Sequence, residues 1–398
     1  MRDVVIVGAG PAGSALAYWL ASAGRDVLLL DRAGFPRDKT CGDGLAPRAL
    51  RVLDRLGLLE QVGRRAARVN RVRLAGPGAE AAEFPLPAGA GRPDYALVLP
   101  RLQFDDLLRR HAVAAGAEFR RALVHDVLWA EDQRRVAGVR GETPEGPLDV
   151  RARLTVVATG AASGLLERAG VLRRTPSFDR AARVYYVGVR AMSDAYEFYY
   201  DLDLLPGYGW VFPAGPEAVN VGVYCPTPNR SGAPPRAALA RFLARPRLAA
   251  RLDGAHPEGP VRGHPLRADF PAAPLAAPGL LIVGEAGGLV NPLTGEGVDC
   301  ALESAEVAAE FAEPALRRDG LAGLAARYTR ALRARFAFAF QVCRWIRDLC
   351  AWPALVDRAV AAARRDPDFQ RALVHFALGD AAQGGRALPR ALWALARG

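Results

Sequence analysis

DVVIVGAGPAGSALAYWLASAGRDVLLLD, residues 3–31, begins and ends on short runs of aliphatic residues with no polar alternation. DVVIVG (3–8) and DVLLLD (26–31) therefore predict strands covered on both faces, the habit of a parallel sheet. Between them, residues 11–23 predict a helix that opens on Pro11. The turn joining the first strand to the helix reads Gly8-Ala9-Gly10-Pro11-Ala12-Gly13, which is GxGxxG. In that pattern Gly8 permits the tight turn, Gly10 lets a pyrophosphate approach the backbone, and Gly13 lets helix and strand pack closely, with the helix N-terminus facing the phosphates. Asp31 closes the second strand where it can accept hydrogen bonds from a ribose. A lone GxGxxG is a weak signal. With its strand, helix and acid in place it predicts a dinucleotide-binding βαβ unit.

The rest of the chain narrows the classes of function. Its 398 residues are 51% hydrophobic and 24% charged, a globular balance. The 53 Lys plus Arg against 42 Asp plus Glu give a net charge of +11, yet Lys39 is the single lysine. The excess of Ala, Arg, Gly and Pro reads as a coding bias, and the arginines are scattered with no nucleic-acid motif beside them, so nucleic acid is not an expected partner. Cys41, Cys225, Cys300, Cys343 and Cys350 show no CxxC spacing and the histidines no HxxxH pair, so neither a disulfide framework nor a metal site is expected. The first residues are too short an apolar run for a signal peptide, and no stretch approaches the roughly 18 apolar residues of a membrane span. The expected location is cytoplasmic, with peripheral membrane contact as an open alternative.

Helical patterning returns at 46–62 and 101–115, shorter alternating segments fill 117–150, and LTVVATG (154–160) is another buried strand. From 175 to 270 Tyr- and Pro-rich alternation predicts an antiparallel sheet. GLLIVG (279–284) is again a buried strand, and helices are expected over 296–346 and 354–398. The fold class is α/β, a Rossmann-type domain interleaved with an antiparallel sheet domain and followed by a helical C-terminal region. The expected boundaries are 1–174 with 271–330 for the nucleotide domain, 175–270 for the sheet domain with a contribution from 64–100, and 331–398 for the helical region.

A second element points to FAD rather than a nicotinamide. In GLLIVGEAGGLVNPLTGEGVDCALESA (279–305) a strand, a Gly-Glu pair and a glycine-rich loop lead into a helix whose N-terminal amides can stabilise negative charge on a reduced flavin. Together with the opening fingerprint, CGDGLAPRAL (41–50), Arg101, PGYGWVFP (206–213) and NPLTGEGVDCALESA (291–305) resemble the geranylgeranyl reductase family, within the flavoproteins built like aromatic hydroxylases. The resemblance spans almost the whole chain. It implies FAD held by Gly8, Gly10, Ala12, Gly13, Asp31, Arg32, Lys39, Gly42, Arg101, Val124, Gly160, Gly284, Glu285, Pro292, Gly295, Glu296, Gly297 and Val298. It also implies a sheet domain covering the isoalloxazine and shaping a long apolar pocket. Two residues depart from the family pattern: Glu285 stands where an Asp is usual, and Thr159-Gly160 stands where hydroxylases have Asp-Gly, which puts direct use of a nicotinamide in question.

Alternate residues of a strand share a face, so Tyr208, Trp210 and Phe212 are expected to form one wall of the pocket, with Pro213 and Gly222 beside them. Tyr224 replaces the second glycine of the family's Gly-x-Gly and is expected to reshape that pocket. Arg37 and Lys39 border the flavin-facing loop, where a compact ammonium fits better than a guanidinium. Cys41 and Asp43 are the expected catalytic residues, as candidate proton donors beside the flavin, with the loop glycines allowing close backbone approach. The implied function is FAD-dependent reduction of isoprenoid C=C bonds on a small prenylated substrate, with NADPH or a ferredoxin-type protein as electron donor. A monooxygenase, a halogenase and a non-catalytic flavoprotein or polyprenyl carrier are the alternatives, since fold alone does not fix function.

Overall fold

The computed structural model describes residues 1–87, 93–227 and 230–377; the C-terminal part of the expected 354–398 helical region lies outside the described residues. Strand Arg2–Val7 lies at the centre of a parallel sheet, between Val27–Asp31, which pairs in turn with Glu118–Arg121, and Gly146–Val157, which pairs with Leu280–Ile282. Both faces are covered, as the aliphatic runs require. Val4 and Ile6 pack with Leu16 and Leu20 of helix Pro11–Ser22, whereas Val5 and Val7 pack with Leu28, Leu30, Val139 and Leu148 on the opposite side. Strand Gly146–Val157 is long enough to leave this sheet and pair antiparallel with Val136–Thr143, which pairs with Leu123–Trp129.

The three fingerprint glycines have distinct physical reasons. Gly8 has φ +109°, and a Cβ there would lie 2.2 Å from the Ala158 carbonyl oxygen. A Cβ on Gly13 would lie 1.8 Å from the Gly8 carbonyl oxygen, so the helix can approach the strand only at a glycine. A Cβ on Gly10 would meet only the Arg37 guanidinium, at 3.5 Å, and otherwise faces open space.

The second sheet runs in the order His256–Leu266, Asp179–Val187, Ala218–Cys225, Tyr208–Pro213, Ala195–Tyr199, Arg71–Ala75, Ala82–Pro85. It is antiparallel as expected except that Ala195–Tyr199 and Arg71–Ala75 pair in parallel. These two strands are not joined by a hairpin, which would force the antiparallel sense. The sequence pattern also passed over two short helices, Pro235–Leu243 and Pro246–Arg251, each opened by a proline that fits the first turn. A small sheet of Gly44–Leu45, Ala96–Val98 and Ala67–Val69 is drawn from segments that flank Arg71–Ala75 and Ala82–Pro85 in sequence.

Two expected helices are each broken. The 46–62 segment becomes Pro47–Arg55 and Leu59–Gly63, separated where Gly57 takes φ +70°. The 296–346 segment becomes Val298–Arg317 and Leu324–Leu349, with Gly323 at φ +69° in the turn. Helices Pro47–Arg55, Val298–Arg317 and Leu324–Leu349 meet at Glu303, which is buried and accepts hydrogen bonds from Nε and Nη2 of Arg48, from Arg51 at 3.2 Å and from Arg335 at 3.0 Å. These arginines hold the Glu303 carboxyl down to about 2 against the desolvation that opposes them. A depressed folded-state pKa contributes stability above the unfolded carboxylate range and loses it as pH falls toward 2. Glu303→Gln is therefore expected to cost about 3 kcal/mol at pH 7. In denaturant titrations the difference from wild type should shrink between pH 4.5 and 2; a difference independent of pH would contradict the assignment.

Candidate active site

A cavity of about 1150 Å³ runs from the end of strand Arg2–Val7 to the C-terminal helices, and most of the residues singled out in the sequence line it. Its lining includes Gly8, Gly10, Ala12, Asp31, Arg32, Val124 and Gly160 around the fingerprint, Lys39, Cys41, Gly42, Arg101, Glu285 and Gly295–Val298, and the rings of Tyr208, Trp210 and Phe212. Gly13, Asp43, Gly284, Pro292, Pro213 and Gly222 do not line it. They support the lining instead. A Cβ on Gly222 would lie 2.1 Å from the Trp210 ring, the Gly284 amide donates to Ser304 Oγ at 2.9 Å, and the Pro292 carbonyl accepts from Tyr224 at 3.3 Å.

The first limb fits FAD. Asp31 accepts the Ala9 amide at 2.8 Å and the Ala33 amide at 2.9 Å, which holds its carboxylate at the strand end with lone pairs left for a ribose. The open side of Gly10 faces the cavity at the N-terminus of helix Pro11–Ser22, as a pyrophosphate requires. Arg37 stands over this limb, bonded to Asp105 at 2.9 Å. Arg101 is buried and bidentate on Asp105, at 2.5 and 2.8 Å.

The loop at 37–43 joins the two large sheets, and nearly every polar group in it has a partner elsewhere. Asp38 pairs with Arg183 and with Arg262, the latter at 3.1 Å. Lys39 pairs with Glu285 at 3.4 Å, so the single lysine meets the residue at which the chain departs from the family's Gly-Asp. The Cys41 carbonyl accepts the Asn220 side-chain amide at 2.8 Å. Asp43, at φ +64°, accepts from Tyr185, from Asn220 at 2.8 Å and from the Arg101 amide at 3.2 Å. Its carboxylate thus lies behind the cavity wall and not on it, a correction to its expected place beside the reacting groups. Burial pushes Asp43 up to about 6 even with three donors.

The glycines of CGDG make a close approach, though to side-chain rings. A Cβ on Gly42 would lie 3.0 Å from Phe212 and one on Gly44 2.9 Å from the Tyr196 hydroxyl. Tyr208, Trp210 and Phe212 form the expected wall, with centroids 6.3 and 6.2 Å apart. Tyr196 and Phe198 from the neighbouring strand, and Tyr200 just beyond it, enlarge it. Sequence reading missed these three, although AYEFYY (195–200) carries the same alternation. Tyr224 lies against Gly295 and donates to Asp179 at 2.6 Å, closing the wall near the glycine-rich loop. The far limb is made by Val342, Trp345, Ile346 and Leu349 of one helix and by Val356, Val360, Phe369 and Val374 of the next two.

Titratable groups on the wall are perturbed by their burial. The Cys41 thiol is pushed up, with Arg101 opposing. Glu296 rises to about 7, and the adjoining Asp299 rises well above the carboxylate range through burial and then through Glu296 itself. Burial, with Lys39 next, pushes His264 down to about 4, so this ring is neutral. His264 reaches the cavity from the edge strand of the sheet domain, and no local pattern marks it.

Comparison with known proteins agrees with this architecture. The FAD binding domain family model matches residues 1–337. A menaquinone reductase of Mycobacterium tuberculosis is 36% identical over 370 residues, covering 88% of this chain and 84% of that protein. A digeranylgeranylglycerophospholipid reductase of Methanopyrus kandleri is 33% identical over 365 residues, covering 87% and 90%. Among solved structures, a geranylgeranyl bacteriochlorophyll reductase-like protein of Thermoplasma acidophilum shares the fold with a TM-score of 0.82 at 22% identity over 99% of both chains. A flavin-dependent brominase shares it with a TM-score of 0.77 at 23% identity, over 95% of this chain and 93% of that one. The fingerprint, the glycine-rich loop that closes the cavity and these full-length likenesses place the chain in the FAD-binding flavoproteins and, within them, in the geranylgeranyl reductase family.

Proposed function

We propose that this FAD-dependent oxidoreductase reduces isolated C=C bonds in the prenyl chain of a lipid. The observation that carries the reading is the continuity of one cavity, from the fingerprint glycines past Cys41 and Glu296 into a limb lined by aromatic and aliphatic side chains. When bound, reduced FAD supplies a hydride to one alkene carbon. The residues of this chain do the rest. Gly8, Gly10 and Asp31 hold the adenosine and phosphate end, and the 284–298 segment holds the flavin end. The aromatic wall grips the alkene by its faces and excludes water, which keeps the reacting groups in a low dielectric. Cys41 stands on the wall at the junction of the two limbs, while Asp43 acts through position, tying Cys41's loop to Asn220 and Tyr185. The brominase likeness reflects the fold, and Lys39, the one lysine available for halogenation chemistry, is engaged by Glu285.

The lipid enters, in this reading, from a membrane surface. No helix of the described residues is long and apolar enough to cross a membrane. Helix Leu324–Leu349 instead exposes Phe338, Trp345 and Leu349 by 56, 59 and 50%, at intervals that place them on one face, and Trp352 follows at 66%. Trp345 and Leu349 also line the cavity, so this stripe adjoins the opening of the prenyl limb. Aromatic side chains of this kind suit the interfacial layer of a bilayer. The names of the relatives, a menaquinone reductase and a glycerophospholipid reductase, concern lipids that reside there.

Two outcomes are expected. Protein whose flavin has been reduced with dithionite should be reoxidised without oxygen by menaquinones or archaeal-type unsaturated lipids, and the product should gain two hydrogen atoms per bond. Flavin that stays reduced until air enters and then yields an oxygenated product would replace this reading with a monooxygenase. Replacing Phe338 and Trp352, neither of which lines the cavity, by serine should weaken co-sedimentation with lipid vesicles roughly tenfold or more. Unchanged co-sedimentation would remove the stripe from the account.

A further inference from the structure

Saturating an alkene takes a proton as well as a hydride, and several wall residues could be its source. Tyr196 donates its hydroxyl to the Leu97 carbonyl at 3.0 Å, Tyr208 donates to the Thr294 carbonyl, and Tyr224 to Asp179. Their protons are committed. Asp43 is on the far side of the wall. Cys41 faces the cavity, but a thiol whose ionisation is opposed by burial is a weak acid.

Glu296 is different. It lies on the cavity wall in the loop that leads into helix Val298–Arg317, and Asp299 stands one turn farther on, buried directly behind it. Asp299 is 3% exposed, and neither of its carboxyl oxygens has a well-formed hydrogen bond, the Ala46 backbone amide being the one donor close by. Two adjoining carboxylates have no hydrogen to share, so a buried pair in this arrangement is satisfied only when one of them carries a proton. Arg48, bonded to Glu303, is the positive charge that acts on both, and its pull is outweighed by their burial. The other ionisable groups coupled to the pair are Cys300, Glu303 and the phenols of Tyr196 and Tyr208, none of which adds positive charge.

We propose that Glu296 and Asp299 share one proton at neutral pH and that Glu296 delivers it to the alkene. The inference rests on the reductase reading and adds to it the identity of the acid. In the balanced step one alkene carbon accepts a hydride from the reduced flavin and the other accepts the proton of the Glu296 carboxyl. The π bond breaks, two C–H bonds form, the flavin is oxidised and the carboxyl pair is left doubly ionised. Two buried negative charges side by side are unfavourable, which draws a proton back from solvent before the next turnover. The elevation of Glu296 to about 7 matches the acid to neutral pH, where general acids are most effective.

The test combines infrared spectroscopy of the protein with anaerobic single turnover scored per bound FAD. A carboxylic-acid carbonyl band should be present at neutral pH, fall away at higher pH as the pair loses its last proton, and change in frequency and titration in Glu296→Gln, where only the buried Asp299 carboxyl remains. Asp299→Asn should shift its titration to lower pH, because the remaining carboxyl no longer faces a second charge. In single turnover Glu296→Gln should slow alkene reduction by roughly a hundredfold or more, and Glu296→Asp should recover part of the rate. Absence of the acid band at neutral pH, or a Gln variant within about threefold of wild type, would overturn the proposal. If wild-type protein transfers hydride to no alkene, the reductase reading fails and delivery of the proton to an alkene fails with it, while the infrared titration still decides whether the pair shares a proton.

Discussion

A carboxylate shut away from water must take its donors from the protein, and Asp43 takes them from three parts of the chain. Tyr185 and Asn220 come from adjacent strands of the second sheet, and the third donor is the amide of Arg101 at the start of a helix in the nucleotide domain. Removing any one would leave a buried charge short of a partner, at a cost of a few kcal/mol. The same loop sends Asp38 to Arg183 and Arg262, and Lys39 to Glu285. The relative position of the two sheets is therefore written in charge pairs on seven consecutive residues, and the cavity between the sheets takes its shape from that arrangement.

Those pairs frame one cavity whose two limbs differ sharply in character. The nucleotide limb is lined with glycine backbone, Asp31 and arginines, which suits a polar dinucleotide held by amides and charges. The other limb is lined by rings and aliphatic side chains, and the helices 324–349, 353–365 and 367–377 cover it. The strand alternation that sends Tyr208, Trp210 and Phe212 to this side sends Val211, Val219 and Val221 to the other, where they pack on Leu239 and Phe242. A single sheet thus contributes both a folding core and a ligand wall. The groups of intermediate polarity, Cys41, Lys39, Glu285 and Glu296, line the cavity between those two sets of residues.

Much of this was legible in the sequence because it rests on local constraints. The aliphatic runs at 3–8 and 26–31 and the spacing of Gly8, Gly10 and Gly13 follow from what a βαβ turn around a phosphate permits, and alternation alone put Tyr208, Trp210 and Phe212 on one face. What failed was non-local. The position of Asp43 depends on Asn220 and Tyr185, far away in sequence, so its burial behind the cavity wall is not visible in its acidic character or its place next to Cys41. The glycines on either side of it line the cavity, and they also leave room for the Phe212 and Tyr196 rings, a contact that only the folded chain creates. His264 and the parallel pairing of Ala195–Tyr199 with Arg71–Ala75 likewise arise from tertiary arrangement, which no local pattern encodes.

The central claim is that flavin and prenyl chain meet end to end in this one cavity. A crystal structure of the FAD-loaded protein with a bound prenylated quinone tests it most directly. The account predicts the isoalloxazine between Gly42 and the 284–298 segment, and the prenyl chain running from it along Tyr208, Trp210 and Phe212 toward Trp345. A chain bound elsewhere, with those three rings closed against the flavin and no alkene within reach of it, would contradict the account.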